Sequence, residues 1–292
     1  MSRLFLGLPA PAKLNLFLHV TGRRADGYHE LQSLMVPIAL ADTLDFELRD
    51  DGRIERTGDL IGPAENDLCV RAALLLQQAS GTSHGAVIAV EKRIPAGSGM
   101  GGGSSDAATT LIALNRLWRL GWPREQLARL ALRLGADVPF FLGAGPALAE
   151  GIGERLTPVE WPVGWWAVIH PQVAVSTAEI FSAAELTRST KAMTIAAFSA
   201  LRDNVVRSGA LASDGMFGAN DLEPVARGRF AEIDAAIAHL ARFAPARMTG
   251  SGSAVFAALP SQSAAQGAVS QLPAGWQGWA VANLAEHPLA AW

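Results

Sequence analysis

Hydrophobic and polar residues alternate strictly between residues 12 and 20. One set of alternate positions is aliphatic and comprises Leu14, Leu16, Leu18 and Val20. The other set carries the polar groups and comprises Lys13, Asn15, Phe17 and His19. Because successive side chains of a β-strand point to opposite faces, the pattern predicts a strand with one buried face and one polar face.

Strands and helices share the rest of the first half. The pattern predicts a polar loop over 21–30 and strands at 31–40, 43–48 and 86–90. Apolar residues at helical spacing predict a helix from Asn66, as N-cap, to Gln78 with a stop at Gly81, a second helix from about residue 104 past residue 118, and a third over 124–134. Further strands are expected between 140 and 175.

The second half is mostly helical from 177 to 245, with a polar stretch near 208–214 that suits a loop. A glycine turn feeding a strand is predicted over 247–259, and a last strand over 276–284. Two prolines and a glycine interrupt the pattern between 157 and 164. We therefore expect two domains, 1–160 and 161–292, of mixed α and β structure.

Composition narrows the function classes. The chain has 292 residues, 50% hydrophobic, with a formal net charge of −3, so neither a disordered chain nor a basic nucleic-acid-binding surface is expected. Its single cysteine, Cys69, excludes a disulfide framework and a cysteine-rich zinc site. The cysteine usage favours the cytoplasm.

Membrane insertion is not expected either. Every apolar run falls well short of the roughly 20 residues that a spanning helix needs. The amino end imitates a short signal peptide, but Pro9 and Pro11 follow only five apolar residues, where a secretory core needs about 7. We expect no signal peptide here.

Five glycines lie within seven positions of one segment: Gly97, Gly99, Gly101, Gly102 and Gly103. Without side chains, their backbone N–H groups can converge on an anion, and the helix that follows adds its positive end. The loop ends in Gly-Ser-Ser rather than Gly-Lys-Ser/Thr, which excludes a Walker A loop. A dinucleotide-binding unit would also have an acidic residue about 20 positions after the glycines. Residues 117–122, which lie there, contain none. A plain turn would need only two glycines, so phosphate binding is predicted.

Two charged residues are candidates for catalysis. If the phosphate bound by this loop is transferred to another molecule, the transfer needs a group that takes the proton of the attacking atom and cations that meet the moving charge. Asp137 follows a helix stop among apolar residues, although a turn or N-cap aspartate would look the same. Lys13 lies on the polar face of the first strand, where a solvated edge lysine is the alternative. The residues alone leave both alternatives open.

Tyr28, the only tyrosine, lies beside His29 in a glycine-bearing loop. An exposed loop aromatic suits stacking on a flat base, and packing on the rim of the core is the alternative. The histidines show no metal-binding spacing.

Four segments carry a family resemblance. Residues 95–108, with the glycines, resemble the phosphate loop of the GHMP small-molecule kinases. The segments 11–31, 135–141 and 248–254 resemble one branch of that family, in which the acceptor is the sugar alcohol of a cytidine diphosphate. The resemblance runs from about residue 9 to 257. It implies an α+β, two-domain GHMP kinase fold, with a ribosomal protein S5 domain 2-like amino-terminal domain and a ferredoxin-like carboxy-terminal domain.

The resemblance also implies roles for residues. Asp137 would be the catalytic base and Lys13 its partner, while Asn15 would position the substrate. Tyr28 and His29 would recognise cytosine, with Phe181 closing the other face of the base.

The nucleotide end follows from the same resemblance. ATP is the implied co-substrate, bound through its phosphates by Pro95, Gly97, Ser98, Gly99, Met100, Gly101, Gly102, Gly103, Ser104 and Ser105. Mg²⁺ is implied, with Ser104 or Ser105, preferably Ser105, as its protein contact. Asp106 is expected to cap the helix. A mevalonate or homoserine kinase is the rival within the family, and a catalytically silent ligand-binding member is the rival outside enzymes.

Overall fold

A computed structural model describes residues 3–60, 62–208 and 217–292. Residues 4–158 contribute the strands of one sheet, which are β1 Leu4–Arg23, β2 His29–Arg49, β3 Ile54–Gly58, β4 Gly85–Glu91, β5 Ala147–Gly151 and β6 Arg155–Pro158. Their order is β3-β4-β2-β5-β6, with β1 also paired to β2. Among the described strands of this sheet, β3 and β4 are the one parallel pair, and they are joined through the first helix.

Helices cover this sheet: α1 Leu68–Ser80, α2 Gly102–Leu117 and α3 Arg124–Ala131, with short 3-10 turns at Ala64–Asn66 and Val138–Leu142. The central helix, α2, packs between α1 and β1. Its buried face is dominated by alanine and leucine, which form a core with the sheet. Burying an apolar helix face in this way is what fixes its axis, and with it the glycine loop at its amino end.

A second sheet follows. Its strands and the helices around them are β7 Trp165–His170, α4 Thr177–Ser182, α5 Ile195–Ser208, α6 Glu223–Arg229, α7 Ala231–Leu240, β8 Ala246–Met248, β9 Val255–Leu259, α8 Gln262–Val269 and β10 Gln277–Ala282. The strand order is β10-β7-β9-β8. This is the antiparallel order of a ferredoxin-like unit, with helices on both crossovers. The α+β class predicted from the sequence is confirmed.

Most predicted elements are present, with corrected ends. The strands expected at 31–40 and 43–48 are one strand, β2, and the third helix ends at residue 131 rather than 134. Asp67, not Asn66, caps α1, because its carboxylate accepts from the amides of Cys69 and Val70 at 2.8 and 3.3 Å. Gly81 ends that helix at φ +68, as expected. Two elements, β3 and α8, were not predicted, and the loop expected near 208–214 falls largely on 209–216, outside the described residues.

A bulge in β1 overturns part of the predicted strand faces. Asn15 faces Met35 and Phe17 faces Leu34 in the register with β2, so Leu16 is an extra residue. An extra residue reverses the alternation that follows it. Lys13, Asn15 and Leu18 therefore line the cleft, whereas Phe17 is fully buried in the core. The prediction that Phe17 and His19 share the polar face of Lys13 and Asn15 was therefore wrong.

The end of β1 joins the two halves. Leu18 donates its amide to the carbonyl of Ala219 at 2.9 Å and accepts from the amide of Asp221 at 2.8 Å. One hydrophobic cluster contains side chains from both sheets, including Leu14 and Trp166. No helix in the described part of the chain is long and apolar enough to cross a membrane.

Candidate active site

A cleft of about 970 Å³ lies between the two halves. The glycine loop, β1 and the turn after β1 line it from the first half. Helix α4 and the turn over 249–254 line it from the second half. Both predicted catalytic residues and all three predicted base-binding residues lie on its wall.

The glycine loop needs glycine for its backbone conformation. Gly97, Gly99 and Gly101 have φ of +64, +73 and +75, in the left-handed region that favours glycine. Gly101 is the N-cap of α2, and no side chain caps this helix. The amides of the first turn of α2 therefore open onto the cleft, with the positive end of the helix behind them.

Most of the predicted phosphate-binding residues line the cleft: Pro95, Gly97, Ser98, Gly99, Gly101, Gly102, Gly103 and Ser104. Two of them do not. Met100 is buried, and its carbonyl accepts from the amide of Lys13 at 3.0 Å. Ser105 is fully buried, and its hydroxyl has no hydrogen-bond partner among the described residues.

A second glycine turn packs against the loop. The amides of Ser253 and Ala254 donate to the carbonyls of Gly97 and Ser98 at 3.3 and 3.0 Å. A side chain on Gly99 would place its Cβ 2.3 Å from a backbone carbonyl oxygen of this turn. The close approach therefore requires glycine at this position.

The second turn also contributes residues that sequence reasoning missed as site residues. Gly250 and Ser251 line the cleft, and the Ser251 hydroxyl lies 2.7 Å from that of Thr177 at the start of α4. Asn220 holds the turn by donating to the carbonyls of Met248 and Gly250, each at 2.8 Å. The signal in the sequence that could have identified these residues was the glycine spacing over 248–254.

Lys13 and Asp137 face each other across the cleft floor. Lys13 Nζ lies 3.7 Å from Asp137 Oδ2, and only 3% of the Lys13 side chain is exposed against 41% for Asp137. Asp137 stands at the start of the 3-10 turn over 138–142, but its side chain makes no capping bond. Burial lowers the pKa of Lys13, while the nearby Asp137 raises it. This placement fits neither a solvated edge lysine nor a capping aspartate.

Asn15 is fixed on three sides. Its side-chain oxygen accepts from the Lys13 ammonium, and its amide nitrogen donates to Ser33 Oγ at 2.7 Å. Its backbone amide donates to Thr249 Oγ1 at 2.9 Å. The ammonium is thus held by a side chain that is itself anchored.

The aromatic end of the cleft brings together residues from both halves. Tyr28, in the turn between β1 and β2, is 61% exposed. Phe181 on α4 stacks on the ring of His29, with ring centroids 5.0 Å apart and planes 29° apart. Phe181 therefore contacts the histidine ring in this structure.

Asp106 does not cap α2, so the expected capping role is wrong. It is buried, and its Oδ2 lies 2.7 Å from Lys92 Nζ, which also contacts Asp42. Burial raises the pKa of Asp106 to about 7, since the repulsion from Asp42 opposes the attraction of Lys92. Lys92 and Asp106 both line the cleft and were missed by sequence reasoning.

Both halves of the chain match models of one protein family. Residues 67–145 match the GHMP kinases N terminal domain, and residues 197–278 match the GHMP kinases C terminal domain. The chain is 55% identical over 285 residues, 97% of its length and 94% of the relative, to the 4-diphosphocytidyl-2-C-methyl-D-erythritol kinase of Cupriavidus necator.

Solved structures agree with the sequence comparison. A crystal structure of 4-(cytidine 5'-diphospho)-2C-methyl-D-erythritol kinase matches with a TM-score of 0.79 and 35% identity, covering 96% of this chain and 98% of that one. A homoserine kinase from Cytophaga hutchinsonii matches with a TM-score of 0.69 at 19% identity, covering 98% and 96%. At that identity the second likeness concerns the fold alone.

Proposed function

This chain belongs to the 4-diphosphocytidyl-2-C-methyl-D-erythritol kinases, a branch of the GHMP kinases, and we propose that Lys13 and Asp137 perform its phosphoryl transfer. The chain is an ATP-dependent small-molecule kinase that phosphorylates the 2-hydroxyl of its cytidine diphosphate acceptor in the non-mevalonate isoprenoid route. The observation that carries the assignment of residues is the pairing of Lys13 Nζ with Asp137 Oδ2 beside the glycine loop.

The proposed reaction needs one group that accepts a proton. The 2-hydroxyl oxygen of the acceptor bonds to the γ-phosphorus of ATP, and the bond from that phosphorus to the β,γ-bridging oxygen breaks. The hydroxyl proton passes to the carboxylate of Asp137, which is half-exposed and open to the cleft. ADP leaves with the bridging oxygen.

The ammonium of Lys13 acts on two charges. It holds Asp137 ionised and stabilises negative charge on the transferred phosphoryl group. Asn15 accepts a hydrogen bond from that ammonium and is itself anchored by Ser33, so it holds the ammonium in place. A positive charge that is already in place stabilises the transition state without the site having to rearrange during the reaction.

ATP binds with its phosphates at the first turn of α2. The support is the left-handed loop, the uncapped helix start and the cleft-lining Ser104. Bound Mg²⁺ would neutralise phosphate charge, and the Ser104 hydroxyl fits as its protein contact better than the buried Ser105. No group of three or more potential metal-ligating side chains is present in the described ranges. Such a donor set suits a magnesium ion that is bound mainly by phosphates and water.

The acceptor binds with its cytosine between the rings of Tyr28 and Phe181, and His29 hydrogen-bonds to the edge of the base. An exposed tyrosine and a stacked pair of rings from opposite walls of the cleft support this arrangement. We further propose that the two sheets mark two domains, 1–160 and 161–292, and that the enzyme works in the cytoplasm.

Substrate competition tests the function directly. Consumption of ATP would be measured with the cytidine diphosphate acceptor, mevalonate and homoserine at equal concentrations. We expect turnover with the first and at least about 100-fold less with the others, because a site built to hydrogen-bond one polar group rejects ligands that lack it. Equal turnover with homoserine or mevalonate, or no turnover at all, would contradict the proposal.

A further inference from the structure

The Arg188 side chain lies in the loop after α4 and reaches both halves of the cleft. Its Nε donates to His29 Nε2 at 3.1 Å. Its two terminal nitrogens donate to the backbone carbonyls of Phe181 at 3.2 Å, in the last turn of α4, and of Ala183 at 2.5 Å and Leu186 at 3.0 Å, which follow that helix. The guanidinium therefore binds a first-half histidine to the segment that carries Phe181.

This contact determines where the histidine proton sits. A guanidinium can only donate, so His29 Nε2 must offer its lone pair and a neutral ring must carry its proton on Nδ1. Among the described residues, Nδ1 has no hydrogen-bond partner. An N–H donor is thus left over on a ring that lines the cleft.

The charges around His29 favour the neutral ring. Arg188 approaches it from the α4 loop, Arg23 is its register partner on β1, and Glu30 follows it on β2, where it pairs with Arg24. Burial lowers the pKa of His29, and the two cations Arg188 and Arg23 lower it further. The ring is therefore uncharged near pH 7.

We propose that Arg188 is a positioning residue for specificity, which holds His29 as the neutral Nδ1–H tautomer against Phe181 so that one fixed N–H donor faces the acceptor's base. The proposal rests on the proposed function, in which His29 and Phe181 bind that base. A fixed donor pairs with a ring nitrogen that accepts, as N3 of cytosine does, and meets a second donor at N3 of uracil. Arg188 thereby contributes to the preference for cytidine over uridine.

Nitrogen NMR tests the tautomer without reference to activity. The full chain would be labelled with ¹⁵N-histidine, and the six histidines make it necessary to assign His29 with a His29→Asn variant. At pH 7 we expect a protonated Nδ1 and a bare Nε2 in the parent and in Arg188→Lys. In Arg188→Gln we expect mixed tautomers and a higher pKa of His29, because a nearby cation is lost.

Arg229 provides the matched control. It also bonds to α4, through the carbonyl of Glu179 at 3.4 Å, and to Glu185 at 2.8 Å, but none of its hydrogen bonds to described residues involves His29. Arg229→Gln should leave the His29 resonances unchanged. If it alters them as Arg188→Gln does, Arg188 acts only by holding α4 and the proposal is overturned.

Kinetics then test the specificity. The ratio of kcat/KM for cytidine and uridine diphosphate acceptors should fall about 10-fold in Arg188→Gln, mostly through KM, and recover in Arg188→Lys. An unchanged ratio in a folded Arg188→Gln variant, or a parent spectrum with a protonated Nε2, would overturn the proposal. If the parent phosphorylates neither acceptor, the proposed function fails, and the spectrum still decides the tautomer.

Discussion

Replacing Asp137 by asparagine separates chemistry from folding, because the change keeps the size of the side chain and removes only its charge. The side chain is 41% exposed and makes no capping bond. Its ion pair with Lys13, at 3.7 Å, is open to solvent only on the Asp137 side, so its loss costs more than the ~1 kcal/mol of an exposed pair because the Lys13 ammonium is buried. We therefore expect the free energy of unfolding to fall by about 1 to 3 kcal/mol, which leaves the variant folded. Turnover should fall by at least about 100-fold, which corresponds to about 2.7 kcal/mol of barrier.

The same substitution acts on the neighbouring ammonium. Burial lowers the pKa of Lys13 and Asp137 raises it, so Asp137→Asn leaves the lowering effect of burial unopposed. The pKa of Lys13 should fall further in the variant. Residual turnover in Asp137→Asn should therefore be lost at a lower pH on the alkaline side than in the parent, as the remaining charge on Lys13 disappears.

Single-turnover rates of the parent, Asp137→Asn, Lys13→Ala and the double variant form the assay, with urea unfolding as the check on folding. Because both residues act on one proton and one phosphoryl group, the two losses should be far from additive. A folded Asp137→Asn variant with turnover within about threefold of the parent would refute the assignment of the base. Fully additive losses would refute the paired action of the two residues.

Three further predictions concern the rest of the cleft. Gly101→Ala adds backbone strain of roughly 1 to 2 kcal/mol at φ +75 and places a methyl group 2.9 Å from a phenylalanine ring, so it should weaken ATP binding in calorimetry and lower the Tm. The control is Gly103→Ala, whose added methyl group would have its nearest contact at 3.5 Å and which should keep the parent's Tm. Tyr28→Ala and Phe181→Ala should each weaken acceptor binding by roughly 1 to 3 kcal/mol and leave ATP affinity unchanged, and a loss of ATP affinity instead would place the rings on the wrong ligand. The raised pKa of Asp106, about 7, means that the folded chain binds this proton more tightly than the unfolded chain, so the group's contribution to stability is lost as pH rises from about 4 to 7. The difference in stability between Asp106→Asn and the parent should therefore shift in favour of the variant between pH 5 and pH 8. An equal difference in the denaturation curves at both pH values would contradict this.

The first strand shows how far periodicity carries. Alternation predicted its existence and placed Lys13 and Asn15 together on its polar face, and in the structure both line the cleft. The alternation ends at Leu16, where the extra residue turns Leu18 toward the cleft and Phe17 into the core. A bulge depends on the register with a partner strand that is distant along the chain, so no pattern within β1 could locate it.

The role of Asp106 could not be predicted for a different reason. An acid in the first turns of a helix is ordinarily a capping or dipole residue, and local reasoning stops there. The partners that bury it, Lys92 and Asp42, come from the start of the loop and from β2. Only the tertiary structure buries Asp106 and brings a second carboxylate, Asp42, to the same ammonium, and burial first and this repulsion second raise the pKa of Asp106.

The glycine loop was predicted as a phosphate cradle from its composition, but the requirement for glycine differs from one position to the next. At Gly102 a Cβ would lie 3.0 Å from the Ile94 side chain, and the backbone there does not adopt a left-handed φ. Gly99 must be glycine because the carbonyl of Thr249 approaches it from the other half. The loop is therefore held from both sides, by the hydrogen bond from the Lys13 amide to the Met100 carbonyl and by the turn of the second half that packs behind it. It follows that the nucleotide end of the cleft is complete only when both halves are folded against each other, although all the glycines of the loop belong to the first.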